Sequence, residues 1–485
     1  MKQNELENYL WGAATLLRGV IDPGDYKQYI FPLLFYKRIC DVFDEEKELS
    51  EKETGNDYAE YHRFKIPEGS HWKDIRRISK NIGMAIQKAM ETIEKTNKDV
   101  LYGIFGDAAW TNKQRLSDEI LIDLIEHFSQ KKLTIQNVPD DKLGDGYEFL
   151  IKKFADDSGH TAAEFYTNRT VVQLMTKLMD PKPGESVYDP TCGSGGMLLN
   201  CALELKRQGK EFRSLKLYGQ EINLITSSIA RMNMFMHGIE DFQIDRGDTL
   251  KNPAFIENDE LKKFNVILAN PPYSIKRWDR NSFEHDPYGR NMFGTPPQGC
   301  ADYAFQQHIL KSSDKKYGRS VVLWPHGILF RDQEKEIRRK LIEADLIEAV
   351  IGLGPNLFYN SPMEACLLIC KNNKIKKQKN NIFFINAIND VENFNGLSYL
   401  TDINISKIYK AYKNYMDIEG FAKIVSIDEI LKFDSNLTIS LYISNVGNYK
   451  NYSKEIDIKK FIKEWKKKSN SIKSEINNIF NYENK

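Results

Sequence analysis

With 485 residues, 28% charged and 41% hydrophobic, the chain is long enough for two or three domains with sizeable cores and has the composition of an ordinary globular protein. A formal net charge of +1 excludes the global basic field that many stand-alone DNA binders carry, so any grip on nucleic acid must come from a local groove or a partner chain. No apolar run approaches a membrane span, MKQNELENYLWG lacks the layout of a signal peptide, and six cysteines without a Cys-x-x-Cys pair read as reduced core thiols; these predict a cytoplasmic protein with no membrane partner.

Residues 1–155 read as helical. In DPGDYKQYIFPLLFYKRICDVFDEE, Tyr29, Leu33, Tyr36, Cys40 and Phe43 recur at three- and four-residue steps along one helical face. Asp22 followed by Pro23 reads as an N-cap and first helical residue, and Pro32 is expected to kink the helix. IGMAIQKAMETIEK and LSDEILIDLIEHFSQ are further amphipathic helices, so the segment is expected to be a separate docking bundle without chemistry of its own.

From about residue 180 the pattern alternates. Apolar runs at 186–189, 215–219, 264–269, 320–324 and 346–353 are separated by helix-like stretches at 196–208, 223–237, 301–313 and 332–344, the signature of a doubly wound, Rossmann-like α/β sheet. ACLLICK (365–371) and NIFFIN (381–386) follow one another without room for a helix and are expected to form an antiparallel hairpin at one edge. Further on the composition drifts to Lys, Asn and Ile. There Ile458, Phe461, Ile462, Trp465, Ile472, Ile476 and Ile479 keep helical spacing, predicting a striped helix over 456–482 that must bury its stripe on this chain or on a partner.

Chemistry is expected beyond the carboxyl ends of the strands, where open α/β sheets bind ligands. SVYDPTCGSGGMLLN runs from a strand through Asp189 into Gly193, Ser194, Gly195 and Gly196 and then a helix, a turn whose amides can bind an acceptor group. The spacing is neither the Gly-x-Gly-x-x-Gly fingerprint nor a P-loop. Glu221 ends the next strand, placed to take ribose hydroxyls, and Asp248 follows the third, placed to accept from an adenine amino group. The fourth strand, FNVILA, stops on Asn270, Pro271, Pro272 and Tyr273. Neither proline donates a ladder hydrogen bond, so the strand must end there. In chain order behind four successive strands these residues describe one pocket.

DPTCGSGG and NPPY together resemble the S-adenosyl-L-methionine-dependent amino-methyltransferases, and most of the chain resembles the modification (M) subunit of type I restriction–modification systems. LWGAATLLRGVIDPGDYKQYIFPLLFYKRICDVFDEE is similar to that subunit's N-terminal helical domain, and EFYTNRTVVQLM to the segment ahead of its sheet, where Asn168 stands in place of the family's usual proline. The resemblance implies an N-terminal α-helical domain over 1–155, a methyltransferase domain over 156–400 and a C-terminal helical docking region over 401–485. It implies that Glu164, Phe165, Tyr166, Thr167, Asn168 and Arg169 help hold the methionine end of S-adenosyl-L-methionine, Ser194 to Gly196 its backbone and Glu221 its ribose. It also implies duplex DNA as substrate, a specificity (S) subunit flanked by two copies of this chain, and a restriction (R) subunit.

The expected reaction is site-specific methylation of adenine N6. That nitrogen is a poor nucleophile because its lone pair is delocalised into the ring. If the Asn270 side-chain oxygen and the Pro271 carbonyl accept its protons, the nitrogen can become more tetrahedral and offer its lone pair, while Tyr273 stacks on a base flipped out of the duplex. No covalent nucleophile and no metal are called for. A cytosine-C5 enzyme would need a Pro-Cys nucleophile, and that dipeptide is absent. The competing readings are an amide- or RNA-directed methyltransferase sharing NPPY, a solitary DNA adenine methyltransferase, and a catalytically silent assembly subunit. Finally, in the insertion 274–303, Lys276, Arg277, Arg280 and Arg290 interleave with Trp278, Tyr288 and Phe293, and are expected to meet phosphates and a displaced base from a loop poorly ordered without DNA.

Overall fold

The computed structural model describes residues 1–157, 166–357, 363–394 and 397–443. Five longer helices build the N-terminal part: α1 (Gln3–Leu16), α2 (Lys27–Thr54), α3 (Ile82–Thr96), α4 (Asp118–Ser129) and α5 (Asp140–Asp157). Tyr29, Leu33, Tyr36 and Cys40 are buried on α2, as their spacing requires. The Asp22-Pro23 signal opens a short 3-10 turn, Pro23–Asp25, rather than α2 itself, which begins at Lys27 and takes Pro32 within its first turns. Gly55, at φ 82°, closes it in the left-handed conformation that glycine adopts without strain.

The sheet has nine strands among the described residues: β1 (Ser186–Asp189), β2 (Lys216–Glu221), β3 (Phe242–Arg246), β4 (Val266–Ala269), β5 (Arg319–Pro325), β6 (Ile347–Leu353), β7 (Ala365–Lys371), β8 (Asn381–Ala387) and β9 (Ala422–Ser426). Their spatial order is β9-β8-β6-β7-β5-β4-β1-β2-β3. The chain lays β2 and β3 on one side of β1, then returns to place β4 on the other side, parallel to β1. This reversal is the topological switch point, where ligands of such sheets bind. It lies between the ends of β1, carrying Asp189, and β4, leading to Asn270.

The expected hairpin of 365–371 with 381–386 is not formed. β7 is antiparallel to both β5 and β6, which occupy its two edges, so β8 pairs instead with the far edge of β6, in parallel. The antiparallel edge is made by β8 with β9, and β9 comes from beyond residue 400, where only helices were expected. The helices among these strands are α6 (Arg169–Met179), α7 (Gly196–Arg207), α8 (Leu224–Met236), α9 (Asp302–Ser312), α10 (Lys335–Glu343) and, just before β9, α11 (Asp402–Asn414). The striped segment 456–482 lies outside the described residues.

Each face of the sheet carries its own apolar core, the one including Val187, Leu198 and Leu268, the other Tyr188, Ile267 and Trp324. The N-terminal helices form a third, which takes in Ile229, Met232 and Met236 of α8. Hydrogen bonds cross the same seam: the Arg231 guanidinium donates to the carbonyls of Val100 and Tyr102, at 2.6 Å each. A Cβ at Gly144 of α5 would stand 2.3 Å from the His237 ring, so only glycine permits this approach. No helix among the described residues is long and apolar enough to cross a membrane.

Candidate active site

β1 ends on Asp189, which is 2% exposed and accepts from the Thr191 amide at 3.0 Å. Burial, reinforced by the nearby Glu221 carboxylate and only partly offset by that amide, pushes its carboxyl up to about 8. The chain then turns through Gly193 (φ 53°) and Gly195 (φ 79°), values that favour glycine. α7 begins at Gly196, so its N-terminus opens on a cavity, while the turn amides of Gly193 and Gly195 are taken by Glu221 Oε2 and the Cys192 carbonyl. Gly193, Ser194, Gly196, Met197 and Asn200 line this cavity, with Tyr166, Thr167, Arg169 and Asp189 around it. Gly195 instead faces α8, where a Cβ would stand 2.7 Å from the Met234 methyl.

Glu221, at the end of β2, braces the turn: Oε2 accepts from the Gly193 amide at 3.1 Å and Oε1 from the Asn223 amide at 2.9 Å. It lines a second, wider cavity together with Ile222, Asp248, Leu250, Pro271, Pro272, Tyr273, Arg277, Trp278 and Met363. Asp248 also caps its own turn, accepting from the amides of Leu250 and Lys251. Thr191 and Asn270 line both cavities. The Asn270 carboxamide donates from Nδ2 to Thr167 Oγ1 at 3.0 Å, and its Oδ1 accepts from the Tyr273 hydroxyl. The fold therefore brings Tyr166, Thr167, Arg169, Asp189, the glycine turn, Glu221, Asp248 and Asn270 to Tyr273 around one continuous space. Glu164 and Phe165 lie outside the described residues.

Asn168 lines neither cavity. It is the N-cap of α6: Oδ1 accepts from the Thr170 amide at 3.0 Å, and Nδ2 donates to the Ser398 carbonyl at 2.9 Å. Side-chain capping thus supplies the local order that a proline ring gives elsewhere.

Two members of the site escaped the sequence reading. Glu148 of α5, 6% exposed, lines the smaller cavity, pairs with Arg169 and accepts from Asn233 Nδ2 at 2.7 Å. Asn233 of α8, fully buried, donates from the same nitrogen to the Ser194 carbonyl at 3.0 Å. The N-terminal helices, expected to carry no chemistry, thereby reach the glycine turn. Asn233 left one trace in the sequence, a carboxamide on an otherwise apolar face in SSIARMNMFM. Glu148 left none, because an acid on an amphipathic helix is ordinarily solvated.

The insertion after Tyr273 differs from expectation as well. It folds around a short helix, Arg280–Glu284, and its Trp278 indole donates to the Gln298 carbonyl at 3.1 Å. Arg290 is 2% exposed, paired with Asp286 at 2.6 Å and donating to the carbonyls of Thr249 and Leu250. It is therefore a structural brace and cannot meet phosphates. Arg277 and Trp278 do line the wide cavity.

All six cysteines are free and buried. Cys192, beside the turn, has its thiol pushed well up by burial, and burial pushes Cys300 up to about 12, so neither offers a thiolate nucleophile. The donor set fits a ligand with a carboxylate and an ammonium at one end and a ribose at the other. Arg169 and the N-terminus of α7 suit the first, buried Asp189 the second and Glu221 the third. A Cβ built on Gly196 would meet nothing within 4 Å, leaving open room for it above the turn.

Residues 138–450 match the family model of N-6 DNA methylases, and residues 6–128 that of the HsdM N-terminal domain. The chain is 31% identical to the type I restriction enzyme MjaVII methylase subunit of Methanocaldococcus jannaschii, across 99% of this chain and 84% of that one. It is 29% identical to the MpnII methylase subunit of Mycoplasma pneumoniae, across 94% and 92%. The crystal structure of a type I restriction–modification methyltransferase subunit from Streptococcus thermophilus superposes with a TM-score of 0.79 at 28% identity, covering 91% of this chain and all of that one.

Proposed function

The chain belongs to the N-6 DNA methylase family, among the methylase subunits of type I restriction enzymes, and on that premise we propose that it transfers the methyl group of S-adenosyl-L-methionine to N6 of an adenine flipped out of duplex DNA. The observation that carries this reading is the place of Asn270, whose carboxamide stands at the junction of the two cavities. The smaller suits the methionine end of the cofactor, held by Arg169, Thr167, Asp189 and the turn. The wider suits its ribose and adenine, along Glu221 and Ile222, and the target base beside Pro271 to Tyr273. The cofactor supplies an electrophilic methyl group on a sulfonium.

The protein's part is positioning and electrostatics. The Thr167 hydroxyl holds the Asn270 amide nitrogen, which leaves Oδ1 on the side of the wide cavity. An incoming base exchanges its amino hydrogens for the Tyr273 hydroxyl at Oδ1, and the ring so released stacks on the base. Asn270 Oδ1 and the Pro271 carbonyl then draw on the two N–H groups, localising the nitrogen lone pair; once the nitrogen has taken the methyl group it gives up one of these protons to solvent past the same oxygens. No thiolate takes part, in keeping with the buried cysteines.

Target choice rests on partners: a specificity subunit reading the DNA with two copies of this chain around it, and a restriction subunit joining for cleavage. The test is incubation of the chain, alone and co-expressed with its neighbouring gene products, with duplex DNA and methyl-labelled cofactor, followed by nucleoside mass spectrometry. N6-methyladenine made only by the assembled complex is the expected result. Label in 5-methylcytosine, RNA or protein, or none in DNA, overturns it.

A further inference from the structure

Tyr273 is followed by Ser274, whose φ of 51° lies in the left-handed region that a serine enters only when its surroundings hold it there. The hold is visible. The Ser274 amide donates to Oδ1 of Asp302 at 2.8 Å, across the whole insertion. Asp302 is the first residue of α9 and is completely buried, yet it lines neither cavity. Its Oδ2 accepts from Arg331 Nη2 at 2.7 Å, and Arg331 Nη1 donates to Glu334, which is also completely buried, at 3.0 Å. The guanidinium packs against Gly327, where a Cβ would stand 2.8 Å from Arg331 Nε. Arg331 is anchored in turn at its carbonyl, which accepts from Arg338 Nη1 at 3.0 Å.

We propose that Asp302 is a positioning residue for methyl transfer: held by Arg331, it fixes Ser274 in the left-handed conformation and so sets the direction of the Tyr273 ring and the Pro271 carbonyl. A buried carboxylate is a costly way to satisfy one amide. Here it ties the turn that presents the reacting groups to a helix N-terminus and to an ion cluster on the far side of that helix. Without this tie Ser274 relaxes to negative φ, Tyr273 swings, and the Asn270 and Pro271 oxygens no longer aim at one nitrogen. The residues that meet the cofactor, on β1, α6, α7 and Glu148 at its methionine end and at Glu221 and Ile222 along its ribose, lie on other segments than this tie.

The inference rests on the methyltransferase reading, and the test separates the two. Single-turnover methylation of duplex DNA by the assembled complex is compared for the parent, Asp302→Ala, Ser274→Gly and the Ser274→Gly/Asp302→Ala double variant, with cofactor affinity measured by titration calorimetry. Asp302→Ala is expected to slow transfer about 10²-fold, the scale of a small misplacement of reacting groups, with cofactor affinity within about threefold of the parent, about 0.65 kcal/mol at most. Adding Ser274→Gly should recover at least about tenfold of the loss, because glycine adopts positive φ without help. If Asp302→Ala does not fold, Asp302→Leu, which keeps the volume, cannot accept a hydrogen bond and leaves Arg331 paired with Glu334, is compared with and without Ser274→Gly in the same way. An unchanged rate in Asp302→Ala, or a loss that Ser274→Gly leaves untouched, overturns the role of Asp302. A parent complex that methylates no adenine overturns the functional reading instead.

Discussion

The two cavities that meet at Asn270 are built on different plans. On one side Glu148, Arg169, Asn233 and the Ser194 carbonyl form a single hydrogen-bonded network reaching back into α5, and Glu221 braces the Gly193 amide. On the other side prolines, Tyr273, Trp278, Leu250 and Met363 surround a wider space, and Asn270 Oδ1 is met by the neighbouring Tyr273 hydroxyl. The methionine end of a cofactor, constant in shape, can be met by preformed polar partners. A base arriving from a duplex needs an entrance and a group that gives way, so the polar contact there is one the site can exchange.

If that contrast is right, substitutions on the two sides should separate rate from affinity. The largest effect is expected at Asn270: Asn270→Ala should reduce the methylation rate by about 10²–10³, the usual cost of removing a group that stabilises a transition state, while calorimetry finds cofactor affinity close to the parent's. Loss of both together would mean that the carboxamide belongs to the cofactor side.

Glu148→Ala should do the reverse. It strands Arg169 and Asn233, and a rise in cofactor dissociation constant of about tenfold, or 1.4 kcal/mol, is expected with little change in rate at saturation. An unaltered dissociation constant would make Glu148 part of the interdomain seam alone.

Asp189 adds a pH signature to the cofactor side. Its carboxyl is raised to about 8, above the ordinary aspartate value near 4. Protonated Asp189 therefore contributes stability that is fully present below about pH 4 and lost as pH rises through about 8. A cationic ligand favours the ionised form, so cofactor affinity should increase from pH 7 to 9, by at most about tenfold per unit, with proton release visible in buffers of different ionisation enthalpy. Asp189→Asn should flatten both trends.

The smallest effect is expected at Arg277, at the rim of the wide cavity. Arg277→Ala should lower DNA affinity of the complex and reduce the slope of log K against log salt by about one, the share of one phosphate contact. Arg290→Ala, by contrast, should lower melting temperature without changing that slope.

What the sequence determined by itself is what depends on local order. Continuous apolar runs and the 3.6-residue period place β1, β2, β4, β5, β6 and the helices between them to within a few residues, and the prolines after Asn270 end β4 wherever the strand goes. Asp189, Glu221, Asp248 and Asn270 were readable as one site because a doubly wound sheet carries successive strand ends to one edge. Strand order was different. Whether 381–387 pairs with its neighbour in sequence or with the far edge of β6 depends on which edges are already taken, and β7 had none free. For the same reason β9, short and half-polar, became a strand only because β8 offered it an edge. The roles of Glu148, Asn233, Arg290 and Asp302 were likewise decided in the tertiary structure. A charge on a helix or loop reads as solvated until the fold buries it, and only then must a partner at a distant point of the chain be found.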